Sequence, residues 1–261
     1  MMAELYEKAS QWTPNWLKEP MRRGATLAGC QIGKLPGVEL LSAHLATVFE
    51  RLRINCVLDV GAHVGQYGRF LRNIGYQGHI VSFEPILANF AILEQRLAGD
   101  RKWTAHRMAL GSEDGTVPIN VTNLMQFSSV LVPNRYSLDQ FGRYSEVNRT
   151  ETVALRRLDS IIEDCISGVE GPRVFVKLDT QGYDLKVLEG AGAYLERILG
   201  VQSELSVKPI YEGMTGYLEA ISSVNDMGFE LTGMFPVLRD AELRIVEFDS
   251  VMIRSGKVGR T

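Results

Sequence analysis

Cysteine is scarce in this chain, and what there is sits badly for pairing. Cys30, Cys56 and Cys165 are odd in number and widely spaced, with no two at metal-ligand spacing. This argues against a disulfide framework or a structural zinc, and predicts a reduced, cytoplasmic protein. Long hydrophobic runs are missing too. No stretch approaches the roughly 18–20 apolar residues that a membrane span needs. The opening MMAELYEKASQWTPNW carries acids where a signal peptide would have an apolar centre. The Asn-x-Thr triplets at Asn120 and Asn148 therefore read as chance matches. Nor is there an excess of positive charge: 28 Lys and Arg stand against 31 Asp and Glu, a formal net charge of −3. That speaks against broad phosphate-backbone binding and so against a nucleic-acid partner.

What is present is globular in composition, at 45% hydrophobic and 23% charged. Residues 1–36, with Trp12, Trp16, Pro14 and Pro20, read as an N-terminal helical extension, a lid or a homo-oligomer contact. One domain accounts for 37–261. It opens with an amphipathic helix over 37–52, in which Leu41, Leu45, Val48 and Leu52 recur at helical spacing. Short apolar runs then alternate with helical patterns. The runs Val57–Val60, His79–Glu84 and Trp103–Leu110 predict strands, and 64–74 and 86–98 predict helices, an order that implies a parallel, doubly wound α/β sheet. Val117–Val121 and Thr152–Leu155 look like extra strands flanking about 30 polar residues; a loop this long is usually functional or disordered. The parallel pattern resumes with strands at Arg173–Asp179 and Ile198–Leu205 and helices at 184–195 and 215–227. Phe229–Met234 and Ile245–Ile253 close the chain as a pair joined too tightly for a crossover helix.

The segment Asp59-Val-Gly-Ala-His-Val-Gly65 follows a strand and precedes a helix, at the carboxyl end of the sheet where open α/β folds bind ligands. Gly61 permits a tight turn, and Gly65 a close approach of the helix start to a ligand. The dinucleotide fingerprint wants glycine where His63 stands, so the loop suits a ligand without a bulky polyphosphate. Glu84 ends the next strand and is placed to accept both ribose hydroxyls. Asp59 is placed to meet a positive group, directly or through water. An adenosine ribose with a charged amino-acid tail is S-adenosylmethionine.

Further along, Lys177 and Asp179 share one face of an apolar strand, and buried charges need partners. Asp179 is placed beside the first strand's loop, where it could hold the cofactor's amino group or act as general base. Glu204, at the tip of the next strand, stands near it; two such carboxylates could also share a divalent cation, although no metal is favoured. His106 is a further, weaker base candidate. Asp184 reads as a first-turn helix acid.

These residues resemble the FkbM-type S-adenosylmethionine-dependent methyltransferases. The matching stretches are VLDVGAHVGQYGRFL, VSFEP, ALGSEDG, SSV, TVALRRLDSII and FVKLDTQGYDLKVLEGA, within roughly residues 37–253. The resemblance implies the class I methyltransferase sheet of seven strands, order 3-2-1-4-5-7-6, with the last antiparallel. It implies O-methylation of a hydroxyl on a sugar, glycoconjugate or polyketide. It also implies that Asp59, Gly61, Ala62, His63 and Gly65 cradle the methionine part, that Glu84 and Pro85 hold the ribose and adenine edge, that Ala109 and Leu110 line the adenine, and that Ser128, Ser129 and Asp179 close the site. The family often has an acid where Gln181 stands and Glu where Asp184 stands. In the middle segment Phe127, Arg135, Tyr136, Tyr144 and Arg149 offer the aromatic faces and forked donors that suit a sugar ring. A different enzyme class, an NAD-dependent oxidoreductase, is disfavoured by His63; a binding module without turnover is disfavoured by the intact carboxylates.

Overall fold

The structure, a computed structural model, describes residues 36–240 and 242–256. The expected N-terminal lid or oligomer contact, with Trp12 and Trp16, lies outside the described residues. A helix, α1 (Pro36–Leu52), leads into β1 (Cys56–Val60), α2 (Gln66–Asn73), β2 (His79–Phe83), α3 (Leu87–Leu97) and β3 (Trp103–His106). After an insertion come β7 (Val174–Leu178), α6 (Asp184–Glu189), β8 (Ile198–Ser206), α7 (Tyr217–Asp226), β9 (Phe229–Arg239) and β10 (Ile245–Arg254). The insertion holds β4 (Ala109–Leu110), β5 (Gly115–Thr122), α4 (Arg135–Phe141), β6 (Val147–Arg156) and α5 (Leu158–Cys165).

The main sheet has seven strands in the order β3-β2-β1-β7-β8-β10-β9. The numbering departs from 3-2-1-4-5-7-6 because β4, β5 and β6 intervene in the chain and form a separate sheet of order β4-β6-β5. Pairing is parallel from β3 through β8, whereas β10 is antiparallel to both β8 and β9. β1 (CVLDV) and β7 (VFVKL) are buried along their whole length because helices cover both faces. Leu45 and Phe49 of α1, Leu71 of α2 and Leu93 of α3 pack against Val57, Ile80 and Phe175 on one face. Leu158 and Ile162 of α5, Leu188 of α6 and Val224 of α7 pack against Leu58, Val81 and Val176 on the other.

Three expectations are corrected. The run Trp103–Leu110 is two strands, because the chain turns at Met108, whose N–H donates to the His106 carbonyl at 3.1 Å, and β4 leaves for the second sheet. The helix over 184–195 stops at Glu189 and gives way to a 3-10 turn over Gly192–Arg197; at Gly190 the backbone runs so close to the Gly111 carbonyl that a Cβ would lie 1.9 Å from it. The polar middle segment, read as one long loop, contains α4, capped by the Asn134 side chain, which accepts from Ser137 N at 2.9 Å.

Gly65 also plays a different part from the one expected. It is left-handed, at φ +83°, and a Cβ there would lie 2.8 Å from Leu93 Cδ1 and 3.3 Å from the Trp103 ring. It lets α2 start against α3 and β3 rather than against a ligand. Gly65→Ala is expected to cost about 1–2 kcal/mol for the backbone conformation alone, with crowding added. Thermal and urea unfolding would report this as a lower midpoint, and an unchanged midpoint would refute the packing role.

Candidate active site

The loop after β1 is drawn tight against the end of β7. Gly61 is left-handed, and a Cβ on it would lie 2.1 Å from the Asp179 carbonyl oxygen. Gly61 and Ala62 both donate their N–H to the Phe83 carbonyl at 3.0 Å. His63, itself at φ +49°, donates its N–H to Glu84 Oε2 at 2.9 Å. Glu84 Oε1 accepts from Ile86 N at 2.9 Å and Asn89 Nδ2 at 3.3 Å. Glu84 is therefore more than a free strand-end acid: it staples the glycine turn to the start of α3. Burial pushes its carboxyl up to about 7 against these donors. Three of its roughly four lone-pair positions are taken, and its side chain still lines the cavity described below.

Beneath the loop a row of polar groups crosses the α1–α3 face of the sheet. In register, Ser82 neighbours Asp59, Asp59 neighbours Lys177, and Lys177 neighbours Gln202. Trp103 Nε1 donates to Ser82 Oγ at 3.0 Å, and Ser82 Oγ donates to Asp59 Oδ2 at 3.2 Å. Asp59 Oδ1 is buried and has no partner among the described residues. Burial raises Asp59 to about 6, with Lys177 pulling the other way. Lys177, only 6% exposed, donates Nζ to Asp179 Oδ2 at 2.6 Å and lies 5.5 Å from the centre of the Tyr67 ring. Burial opposes the ammonium, but Asp179 and Asp59 outweigh it and raise its pKa. Asp179 Oδ1 accepts from Gln181 Nε2 at 2.8 Å.

The row ends in an acidic corner. Glu204 and Asp249 are directly paired across β8 and β10. Gln202 donates Nε2 to Asp249 Oδ1 at 2.9 Å and accepts from the Tyr67 hydroxyl at 2.7 Å. Burial, then Asp179, Glu247 and Asp249, push Glu204 well above the usual carboxylate range. Burial likewise lifts Asp249 to about 6 and Glu247 to about 7. Among the described residues no group of three or more His, Cys, Asp or Glu is arranged to hold a metal ion. Both oxygens of Asp179, one half of the suggested cation pair, are engaged by Lys177 and Gln181.

All of this opens into a cavity of about 460 Å³, within the range of small-molecule sites. Pro85, Ile86, Met108, Ala109 and Leu110 form an apolar slot on one side, with Ser128 and Ser129 beside it; Leu41, Tyr67 and Phe70 wall the other. Asp59, Gly61, Ala62, His63, Glu84, Lys177, Asp179 and Glu204 all line it as well.

Other expected residues are not brought there. His106 is absent from the lining; it sits on β3, three strands from β7, with its ring stacked on Phe83 at 5.5 Å. The Phe127 ring packs on Phe141 at 4.6 Å. Arg135 is 87% exposed and paired with Asp139 at 2.9 Å. Tyr136 lies under the Lys208 ammonium, Tyr144 beside Arg143, and Arg149 pairs with Glu151. Each of these side chains is thus engaged by a neighbour, whether a carboxylate, a cation or another ring. Gln66, Tyr67, Gln202 and Asp249 were missed; of these, Gln202 and Asp249 stand as polar residues inside strands on the same face as Glu204, a pattern open to reading.

Fold and site together define a doubly wound α/β enzyme with a cofactor cleft at its topological switch point. The chain matches the methyltransferase FkbM domain over residues 59–231 and belongs to that family. It is therefore a methyltransferase with S-adenosylmethionine as cofactor, which sets the dehydrogenase alternative aside. A relative, "Methyltransferase sdnD" of Sordaria araneosa, is 25% identical over 202 residues, spanning 67% of this chain and 74% of that protein. Similar solved structures include magnesium protoporphyrin IX methyltransferase from Synechocystis PCC 6803 with bound S-adenosylmethionine, at 12% identity and TM-score 0.46 over 94% of this chain and 86% of that one. Aeropyrum pernix fibrillarin with natively bound S-adenosyl-L-methionine is another, at 12% identity and TM-score 0.46 over 82% and 74%. No described helix is long and apolar enough to cross a membrane.

The raised carboxyls have a consequence for stability. Asp59 and Asp249 move from 3.8 to about 6, and Glu84 and Glu247 from 4.5 to about 7. Across that window the folded chain holds more protons than the unfolded one, so stability of the ligand-free protein falls as pH rises through it. Glu204→Gln is expected to raise Tm, and by more above the window than below it, in a thermal scan at several pH values. An equal or absent gain at every pH would contradict the raised Glu204.

Proposed function

We propose that the protein transfers a methyl group from S-adenosylmethionine to a hydroxyl of a sugar or glycoconjugate, with Asp179 accepting the hydroxyl proton. Two features support a fit to the cofactor. Asp59 Oδ1 is a buried acceptor with no donor among the described residues, as an ammonium group would supply. Glu84 lines the cavity with about one lone-pair position left, enough for one hydroxyl of a ribose. In this reading Asp59, Gly61, Ala62 and His63 receive the amino-acid arm, Glu84 and Pro85 the ribose, and Ala109 and Leu110 the adenine. Ser129 closes the slot. The bound cofactor supplies an already activated methyl group. The chain's own share is to position the acceptor, exclude water and remove the proton.

The observation that carries the reading is the grouping of Asp179, Glu204, Asp249 and Gln202 on one side of the cavity, beside Tyr67 and Phe70. Acids and amides suit hydroxyls, and the aromatic wall suits the apolar face of a sugar ring. Glu204, pushed upward by burial, is placed to orient a hydroxyl, whereas Asp179, ion-paired to Lys177, is placed to take its proton. The wall of Leu41 and Phe70 keeps a polyketide hydroxyl as the second candidate acceptor.

A panel of glycosides and polyketide alcohols incubated with isotopically labelled methyl donor, followed by mass spectrometry, tests the acceptor class. Label on a sugar oxygen is the expected result; label only on nitrogen or carbon would end the reading. Asp179→Asn is expected to lower kcat by about 10²–10⁴ while calorimetry shows cofactor affinity little changed. Turnover near that of the parent would remove Asp179 from the role. Glu84→Ala is expected to weaken cofactor binding by about 1–3 kcal/mol.

A further inference from the structure

Gln181 stands in the turn after β7 with φ +54°, an uncommon conformation for a residue with a side chain. Such backbone persists where surrounding contacts over-determine it, and here three do. Its carbonyl accepts from Ser129 Oγ at 2.7 Å, its Oε1 accepts from the Tyr211 hydroxyl at 2.8 Å, and its Nε2 donates to Asp179 Oδ1 at 2.8 Å. Tyr211 is 1% exposed, and its hydroxyl also lies 3.0 Å from the Phe127 carbonyl. The Asp179 carboxylate can only accept, which fixes the Gln181 amide with its NH₂ toward Asp179 and its Oε1 toward the Tyr211 hydroxyl. The reverse orientation would set Oε1 against a carboxylate oxygen. Ser129 and Phe127 come from the insertion, and Tyr211 from the β8–α7 connection. Gln181 is the point where both meet the sheet.

From this geometry we infer that Gln181 is a positioning residue: held by Tyr211 and Ser129, it fixes the orientation of the Asp179 carboxylate between two donors, Gln181 and Lys177. The inference rests on the assignment of Asp179 as proton acceptor. Its specific content is that the group at position 181 donates to Asp179 Oδ1 in this chain. A carboxyl group at position 181 would sit within hydrogen-bond distance of Asp179, and two carboxylates that close hold a proton between them.

Three variants test it: Gln181→Glu, Gln181→Ala and Tyr211→Phe. Each is first checked for folding by its thermal transition and by calorimetric binding of S-adenosylmethionine. Two readouts follow. One is the pH dependence of kcat. The other needs no turnover: the titration of the Asp179 carboxyl carbon by NMR in ¹³C-labelled protein, with its resonance assigned from Asp179→Asn. Gln181→Glu is expected to move both the carboxyl titration and the acid limb of the rate profile up by about one pH unit or more. Gln181→Ala is expected to lower kcat about tenfold or more with KM little altered, and Tyr211→Phe to act in the same direction to a lesser degree. An Asp179 titration that is the same in parent and Gln181→Glu overturns the inference. A shifted titration with an unshifted rate profile overturns the base assignment instead, and the inference falls with it for that separate reason. Should Gln181→Glu not fold, an unchanged kcat in both Gln181→Ala and Tyr211→Phe overturns the inference alone.

Discussion

A single ammonium group lies at the centre of this molecule. Lys177 is buried in the middle strand of the sheet, a strand otherwise apolar, between the carboxylates of Asp59 and Asp179. Such a charge is tolerated only with partners in place, and removing one partner of a buried pair commonly costs about 3–5 kcal/mol. The ion pair therefore fixes more than two side chains. It requires β1 and β7 to stay in register, it holds Asp179 at the mouth of the cavity, and it keeps the β1 loop against the β7 turn, where only a glycine at position 61 leaves room for the Asp179 carbonyl. The site is a consequence of how the sheet solves a problem of buried charge.

That solution leaves a surplus. Around the one cation stand Asp59, Asp179, Glu204, Glu247 and Asp249, and burial pushes most of these carboxyls upward. A core built for stability alone would carry apolar residues there. The unsatisfied oxygen of Asp59 and the cross-strand pair of acids at Glu204 and Asp249 are local conflicts, of the kind that collect at functional sites. A positively charged ligand in the cavity would relieve them, as the proposed placing of S-adenosylmethionine has it.

Much of this was legible in the chain and some was not, for reasons that follow from distance along it. Lys177 and Asp179 stand out because charge within an apolar strand is rare and alternation assigns both to one face. The strand–glycine–helix pattern located the loop that lines the cavity for the same local reason. Glu84 was placed at the right strand tip, but its bonds to His63 and Ile86 depend on how two loops meet, and no spacing encodes that. His106 occupies a strand tip just as Glu204 does; what separates them is sheet order, which puts one strand three places from β7 and the other beside it. Asp249 became a neighbour of Glu204 only through the antiparallel register of β10. In the insertion, the conspicuous Arg and Tyr residues are taken up by nearby acids and cations, and the inconspicuous Ser128 and Ser129 reach the cavity.

The insertion shows how a site can depend on parts that carry no charge. Asn120 exchanges backbone hydrogen bonds with Ser129, which fastens the segment to β5, and Ser129 Oγ then bonds the Gln181 carbonyl. Through Gln181 this reaches Asp179, and through Asp179 it reaches Lys177 and β1. Hydroxyl and amide groups fit this chain of contacts because each both donates and accepts, so every link is satisfied without adding charge. An ionised group at any link would compete with Lys177 for Asp179 or with Asp179 for Lys177. The charged centre stays balanced because the connection from it to the cavity wall is neutral throughout.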